Sequence, residues 1–148
     1  MAIFINKVEI SDEEIGREMQ YHPAETREGA WHSAAQSLVI RQLLLQQAAN
    51  NGLSADDALN SSSQQEEAVI DQLLEQDVKV PQADTATCRR FYDTHQESFI
   101  DKESGQRRAF DEVHEQIRGY IHTKAMRVAV AEYIKALSFE AEIKGFDL

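Results

Sequence analysis

One cysteine, two prolines and six glycines in 148 residues remove several fold classes at once. Cys88 has no partner within the chain, so this is not a disulfide-stapled scaffold. Scarce proline and glycine leave room for long uninterrupted helices. No run approaches the roughly 20 apolar residues of a membrane span, and no basic, apolar and small-residue leader opens the sequence. As written the chain is expected to be cytoplasmic; a periplasmic protein whose leader had been removed would read the same way. Basic residues are also few: 15 against 26 acidic ones, for a formal net charge of -11. Such a surface repels phosphate backbones and argues against nucleic-acid binding. The densest basic spots, Arg89-Arg90 and Arg107-Arg108, are short. With 42% hydrophobic and 28% charged residues, the composition is that of a globular domain.

Catalytic signatures are missing as well. There is no Gly-rich phosphate loop, no Gly-x-Ser-x-Gly elbow and no Cys-x-x-Cys. His114-Glu115-Gln116-Ile117-Arg118 opens like a zinc-protease helix, but Arg118 stands where the second histidine ligand is required. His22, His32, His95 and His122 form no ligand spacing with it. Acid pairs such as Glu13-Glu14 and Glu66-Glu67 sit at helix starts, where the helix dipole accounts for them. The expectation is therefore a non-enzyme without metal or cofactor.

What is there is mostly helix. Ile3 to Ile10 alternates enough to read as a strand, with a turn candidate at Asn6-Lys7. A lone strand needs a partner for its backbone groups, and Ala141 to Phe146 alternates too, so the two ends are expected to pair. Ser11-Asp12-Glu13-Glu14 is a capping box opening a first helix that Pro23 terminates. A second helix runs from Thr26 to Asn51 and would span roughly 39 Å. Trp31, Ala34, Ala35, Leu38, Leu45 and Ala49 form its stripe, and Ile40, Leu43 and Leu44 widen that stripe nearly all round. A helix apolar on several sides must be covered on several sides, which makes it the central post. After a polar connection at 53–63 come a third helix at 64–77 and a short fourth, capped by Asp84 and ending at Thr94. A polar turn at 100–109 precedes a fifth helix at 108–138. Cys88 is expected to be partly buried, as a small hydrophobe. The fold class is mainly α: five helices around a long central one, with a small two-stranded pairing of the N- and C-terminal segments, in a single domain over 1–148.

Aromatic and methionine side chains are the remaining lead. Met19, Tyr21, Trp31, Phe91, Tyr92, Met126 and Tyr133 either fill the core or line an apolar groove for an extended or helical peptide.

The order of these elements resembles a known family. Ile5-Asn6-Lys7-Val8-Glu9-Ile10, a capped helix, and the run from Ala34-Ala35-Gln36 to Gln46-Gln47-Ala48 look like the chaperone portion of SurA/PpiC-type parvulin peptidyl-prolyl isomerases. So do Ala68-Val69-Ile70-Asp71-Gln72-Leu73-Leu74-Glu75, Pro81, and Cys88-Arg89-Arg90-Phe91-Tyr92 after Asp84. The ending, Phe110-Asp111-Glu112-Val113 through Tyr133-Ile134 and Ala141-Glu142-Ile143, is similar to that family's closing helix and strand. The resemblance implies a discontinuous domain that holds unfolded or extended client polypeptides. In the family the isomerase domain is inserted before the closing helix; here only about ten residues separate Phe99 from Phe110, too few for such a domain. Two readings follow: a client-binding chaperone module without catalysis, or an assembly protein whose helices form a fixed homodimer or partner interface.

Overall fold

The computed structural model describes residues 2–53 and 63–148. Among the described residues the chain is mainly helical, with five α-helices and a small three-stranded antiparallel sheet. The polar connection expected at 53–63 lies, from 54 to 62, outside the described residues. The chain divides into two compact units, Met1–Asp77 with Ala131–Leu148, and Val78–Val130.

In the first unit the predicted N-terminal strand is a hairpin. β1 (Ile3–Ile5) and β2 (Val8–Ile10) pair antiparallel across a two-residue loop. Asn6 and Lys7 both take positive φ, 48° and 74°, the geometry of a type I′ turn. Asn6 tolerates this region well, whereas Lys7 does not favour it. The loop is secured elsewhere: Asn6 Nδ2 donates to Gln46 Oε1 at 2.9 Å, and Glu142 N donates to Asn6 Oδ1 at 2.8 Å. β3 (Ile143–Lys144) pairs antiparallel with β1, so the order is β2-β1-β3 and the two ends meet as expected. The sheet therefore has three strands where the sequence suggested two, because the turn at Asn6-Lys7 folds the first segment back on itself.

α1 (Asp12–Glu18) carries the predicted capping box, with Glu14 N donating to Ser11 Oγ and Ser11 N donating to Glu14 Oε2 at 2.7 Å. It gives way to a 3₁₀ turn at Met19–Tyr21, before Pro23. α2 (Arg27–Asn50), capped by Thr26, is packed by β1, α1, the 3₁₀ turn and α3 (Ser63–Asp77). Its two sides serve two cores. Ala34, Ala35, Val39 and Leu43 join Ile3, Ile5, Ile10 and Ile15 under the sheet. Leu44 and Ala48 join Leu73, with Tyr133, Ile134 and Leu137 packed around them. That is why this helix reads as apolar nearly all round.

Tyr133 closes the second core through a polar link. Its hydroxyl donates to Asp77 Oδ2 at 2.6 Å, and Asn51 Nδ2 donates to the same oxygen at 3.1 Å. Burial first, and then the hydrogen bond and negative charge of Asp77, push the phenol above its ordinary range. A raised folded-state pKa means this stabilisation is complete below the ordinary phenol value of about 10 and is lost as pH rises through the folded one. Tyr133→Phe should delete the highest-pH part of a tyrosinate absorbance titration and lower neutral-pH stability by about 1 kcal/mol. An unchanged titration curve would count against the link.

In the second unit, α4 (Thr85–Thr94) starts at Asp84, whose carboxylate accepts from Thr87 N at 2.8 Å. The hydrogen bonds with Thr87 hold that carboxyl below its usual range. A second 3₁₀ turn covers Gln96–Phe99. The predicted polar turn is a closed hairpin: Ile100 bridges Arg107, Asp101 N donates to Gln106 O at 2.8 Å, and Arg108 N donates to Phe99 O at 2.7 Å. Gly105, at φ 71°, supplies the left-handed residue that closes it. α5 (Phe110–Glu140) is one helix whose residues 110–130 belong to this unit and 131–140 to the first. Cys88, Tyr92, Val113 and Ile117 form the unit's core. Cys88 is fully buried, deeper than the partial burial expected.

Candidate functional site

The second unit's surface is organised around an aromatic run. Phe91, His95 and Phe99 recur every four residues, so a helical start followed by a 3₁₀ turn keeps them adjacent. The Phe91 and His95 rings stack at 4.0 Å between centroids and 17° between planes. Phe91 lies 6.2 Å from Phe99, edge-on, and 5.4 Å from Tyr120 of α5. These rings, with Ser98, Gln116 and Ile117, line an open pocket of about 360 Å³. Its lining is mainly apolar, with His95, Ser98 and Gln116 as polar groups. Such a pocket accepts one or two apolar side chains of a peptide and offers polar contacts at the margin. Tyr120 is 54% exposed, and His95 is exposed as well.

Tyr92, next to Phe91, has a different job. Its ring is buried against Phe99 and Phe110. The Arg107 guanidinium lies 3.7 Å from the ring centroid, and the Tyr92 hydroxyl donates to the Arg108 carbonyl. Tyr92 thus fastens the 100–109 hairpin to α4.

In the first unit a groove of about 410 Å³ runs beside β2, between α1, the first 3₁₀ turn, α2 and the start of α3. Leu38 and Leu45 line it together with charged side chains, and Tyr21, 70% exposed, also contributes.

The seven residues singled out in the sequence are distributed among these places. Met19 and Trp31 pack against the core under the sheet, Phe91 and Tyr92 belong to the second unit's core cluster, and Tyr133 to the core around Leu73. Phe91 lines the aromatic pocket and Tyr21 the groove. Met126 is half-buried on α5 and lines neither. His95, Phe99 and Tyr120, which also line the aromatic pocket, stand outside those seven. The four-residue spacing of Phe91, His95 and Phe99 was the available signal, whereas Tyr120 was masked by its position beside the Ile117–Ile121 seam.

Among the described residues, no group of three or more His, Cys, Asp or Glu side chains is placed to hold a metal ion, and no helix is long and apolar enough to cross a membrane. Arg118 Nη1 donates to Glu115 Oε1 at 2.9 Å, and Nη2 lies 3.2 Å from His114 Nε2, so the zinc-protease-like opening is engaged in a local side-chain network. No protein-family profile, curated protein or solved structure matches the chain.

Proposed function

We propose that the chain is a non-catalytic chaperone module of SurA/PpiC type that holds unfolded or extended client polypeptide on apolar surface. The observation that carries this reading is the amount of large apolar side chain left exposed by a chain with well-formed cores. Phe4, Val8, Tyr21, Ile100, Tyr120, Val128 and Phe139 are all more than a third exposed. Dispersed apolar contacts of this kind tolerate many sequences, and a net charge of -11 opposes self-association while they stay uncovered. The element order and the paired ends support the family likeness. The closed hairpin at 100–109 lies where that family carries its isomerase domain, which supports a role without prolyl isomerisation.

The test is suppression of aggregation of a chemically denatured client at near-stoichiometric ratios. Wild-type chain should suppress it, and Tyr120→Ala should weaken suppression severalfold with little loss of stability, since the ring is over half exposed. No suppression, together with no peptide binding, would defeat the proposal. An assembly role is favoured by Tyr120 and Val128 standing exposed on the longest helix. It predicts instead a stable dimer by light scattering, with no client binding.

A further inference from the structure

β2 is an edge strand of the sheet. Asn6 N donates to Glu142 O at 2.8 Å, and Phe4 stands opposite Lys144. The alternation of an antiparallel ladder then turns Phe4 and Asn6 toward β3, and Ile3 and Ile5 toward β2. Their β2 partners are Ile10 and Val8. Glu9, between them, therefore directs both its N–H and its C=O away from β1. Neither group has a partner among the described residues. Natural edges are blunted by shortness, edge charges, a bulge, a proline or a covering element; Val8-Glu9-Ile10 is short and carries Glu9, but it has no proline and pairs one-to-one with β1. Val8 shares the register position of Ile5 yet remains 42% exposed.

The groove beside this edge has a defined chemistry. Glu9 and Ile10 form one wall, and Leu38 and Leu45 contribute apolar lining. Four carboxylates, Glu9, Glu14, Glu18 and Glu66, line it against two guanidiniums, Arg17 and Arg41. Glu14 is committed to the Ser11 cap, Glu18 to His22 at 3.0 Å and Glu66 to Arg41 at 2.7 Å. Glu9 has no ion-pair partner among the described residues.

We propose that β2 is a strand-addition site, where an extended polypeptide segment with alternating apolar and basic residues pairs with Glu9 as a fourth strand. The free N–H and C=O of Glu9 supply the main-chain hydrogen bonds. Alternate apolar side chains enter the groove toward Leu38 and Leu45, and the excess of carboxylates selects basic residues in the client. This deepens the client-binding reading and rests on it.

Glu9→Pro tests it, because an edge strand tolerates proline where the N–H faces outward. The variant removes the outward donor and leaves the ladder with β1 intact. Fluorescence anisotropy with a labelled short peptide of alternating valine and lysine should give saturable binding. Glu9→Pro should weaken it about tenfold through the lost hydrogen bond and the steric block. Glu9→Lys, which has no reason to disturb folding, should weaken it about threefold, and a valine–glutamate peptide should bind wild type poorly. Circular dichroism on both variants guards against unfolding. Peptide binding that neither variant weakens overturns the strand-addition site while leaving client binding standing. A wild-type dimer that Glu9→Pro dissolves overturns it in favour of self-pairing. Absence of both peptide binding and aggregation suppression overturns the site and the chaperone reading together.

Discussion

A chain ending at Glu140 is expected to lose the first unit's folded state. Residues 141–148 supply the only strand paired to β1's outer side among the described residues, with Phe4 opposite Lys144 and Ile5 opposite Ile143. They also take up the backbone N–H of Asn6 and cover the sheet core with Ala141, Ile143 and Phe146. Phe146 lies 6.3 Å from Trp31 and 5.1 Å from His32, ring to ring. Two partly buried large side chains contribute about 1 to 2 kcal/mol each, and three or so hydrogen bonds about 1 kcal/mol each. The loss is about 5 to 7 kcal/mol, which matches the whole stability of many domains. Gly145 offers a milder version of the same cut. It adopts φ 86°, and a Cβ there would stand 2.8 Å from the Ala2 carbonyl oxygen, so Gly145→Ala should displace the strand with a part of that cost. Denaturant melts would decide the matter: a truncated chain with the wild-type midpoint would mean that the ends are an ornament of the fold.

That the ends meet was legible because both segments alternate and neither could satisfy its backbone alone. The caps at Ser11 and Asp84 were legible for a similar local reason, since each side chain bonds an amide three residues on. The two-sided burial of α2 followed from apolar residues outside one stripe. The hairpin was harder. Lys7 at positive φ carries no sequence signature, and the loop depends on Asn6 contacts with Gln46 and Glu142, distant in the chain. The candidate sites were harder still. Tyr21 and Tyr133 look alike in the sequence, yet one is 70% exposed and the other closes a core through Asp77. The free edge at Glu9 depends on which face of a three-residue strand its neighbour occupies, which no periodicity reports.

Tyr92 is where that ambiguity has the largest energetic consequence. Its sequence context also suits a groove lining, but in the structure it is 6% exposed and bonds the hairpin through the Arg108 carbonyl. Its ring contacts Phe99 and Phe110, with centroids 5.2 and 5.5 Å away, and carries the Arg107 guanidinium. Arg107 in turn donates to the Tyr92 carbonyl at 2.7 Å, so both ends of the residue are engaged. Tyr92→Ala should cost about 3 to 5 kcal/mol, the range for deleting a buried aromatic ring. Tyr92→Phe keeps the ring and leaves the Arg108 carbonyl without its donor, for about 1 kcal/mol. The contrast with Tyr120→Ala separates packing from binding. Tyr120→Ala should weaken client binding at an almost unchanged unfolding midpoint. Any binding loss in Tyr92→Ala should instead track the fraction unfolded and return when the variant is stabilised by an osmolyte. If Tyr92→Ala proves as stable as Tyr120→Ala, the hairpin is anchored by something other than this ring, and Tyr92 returns to the list of binding residues.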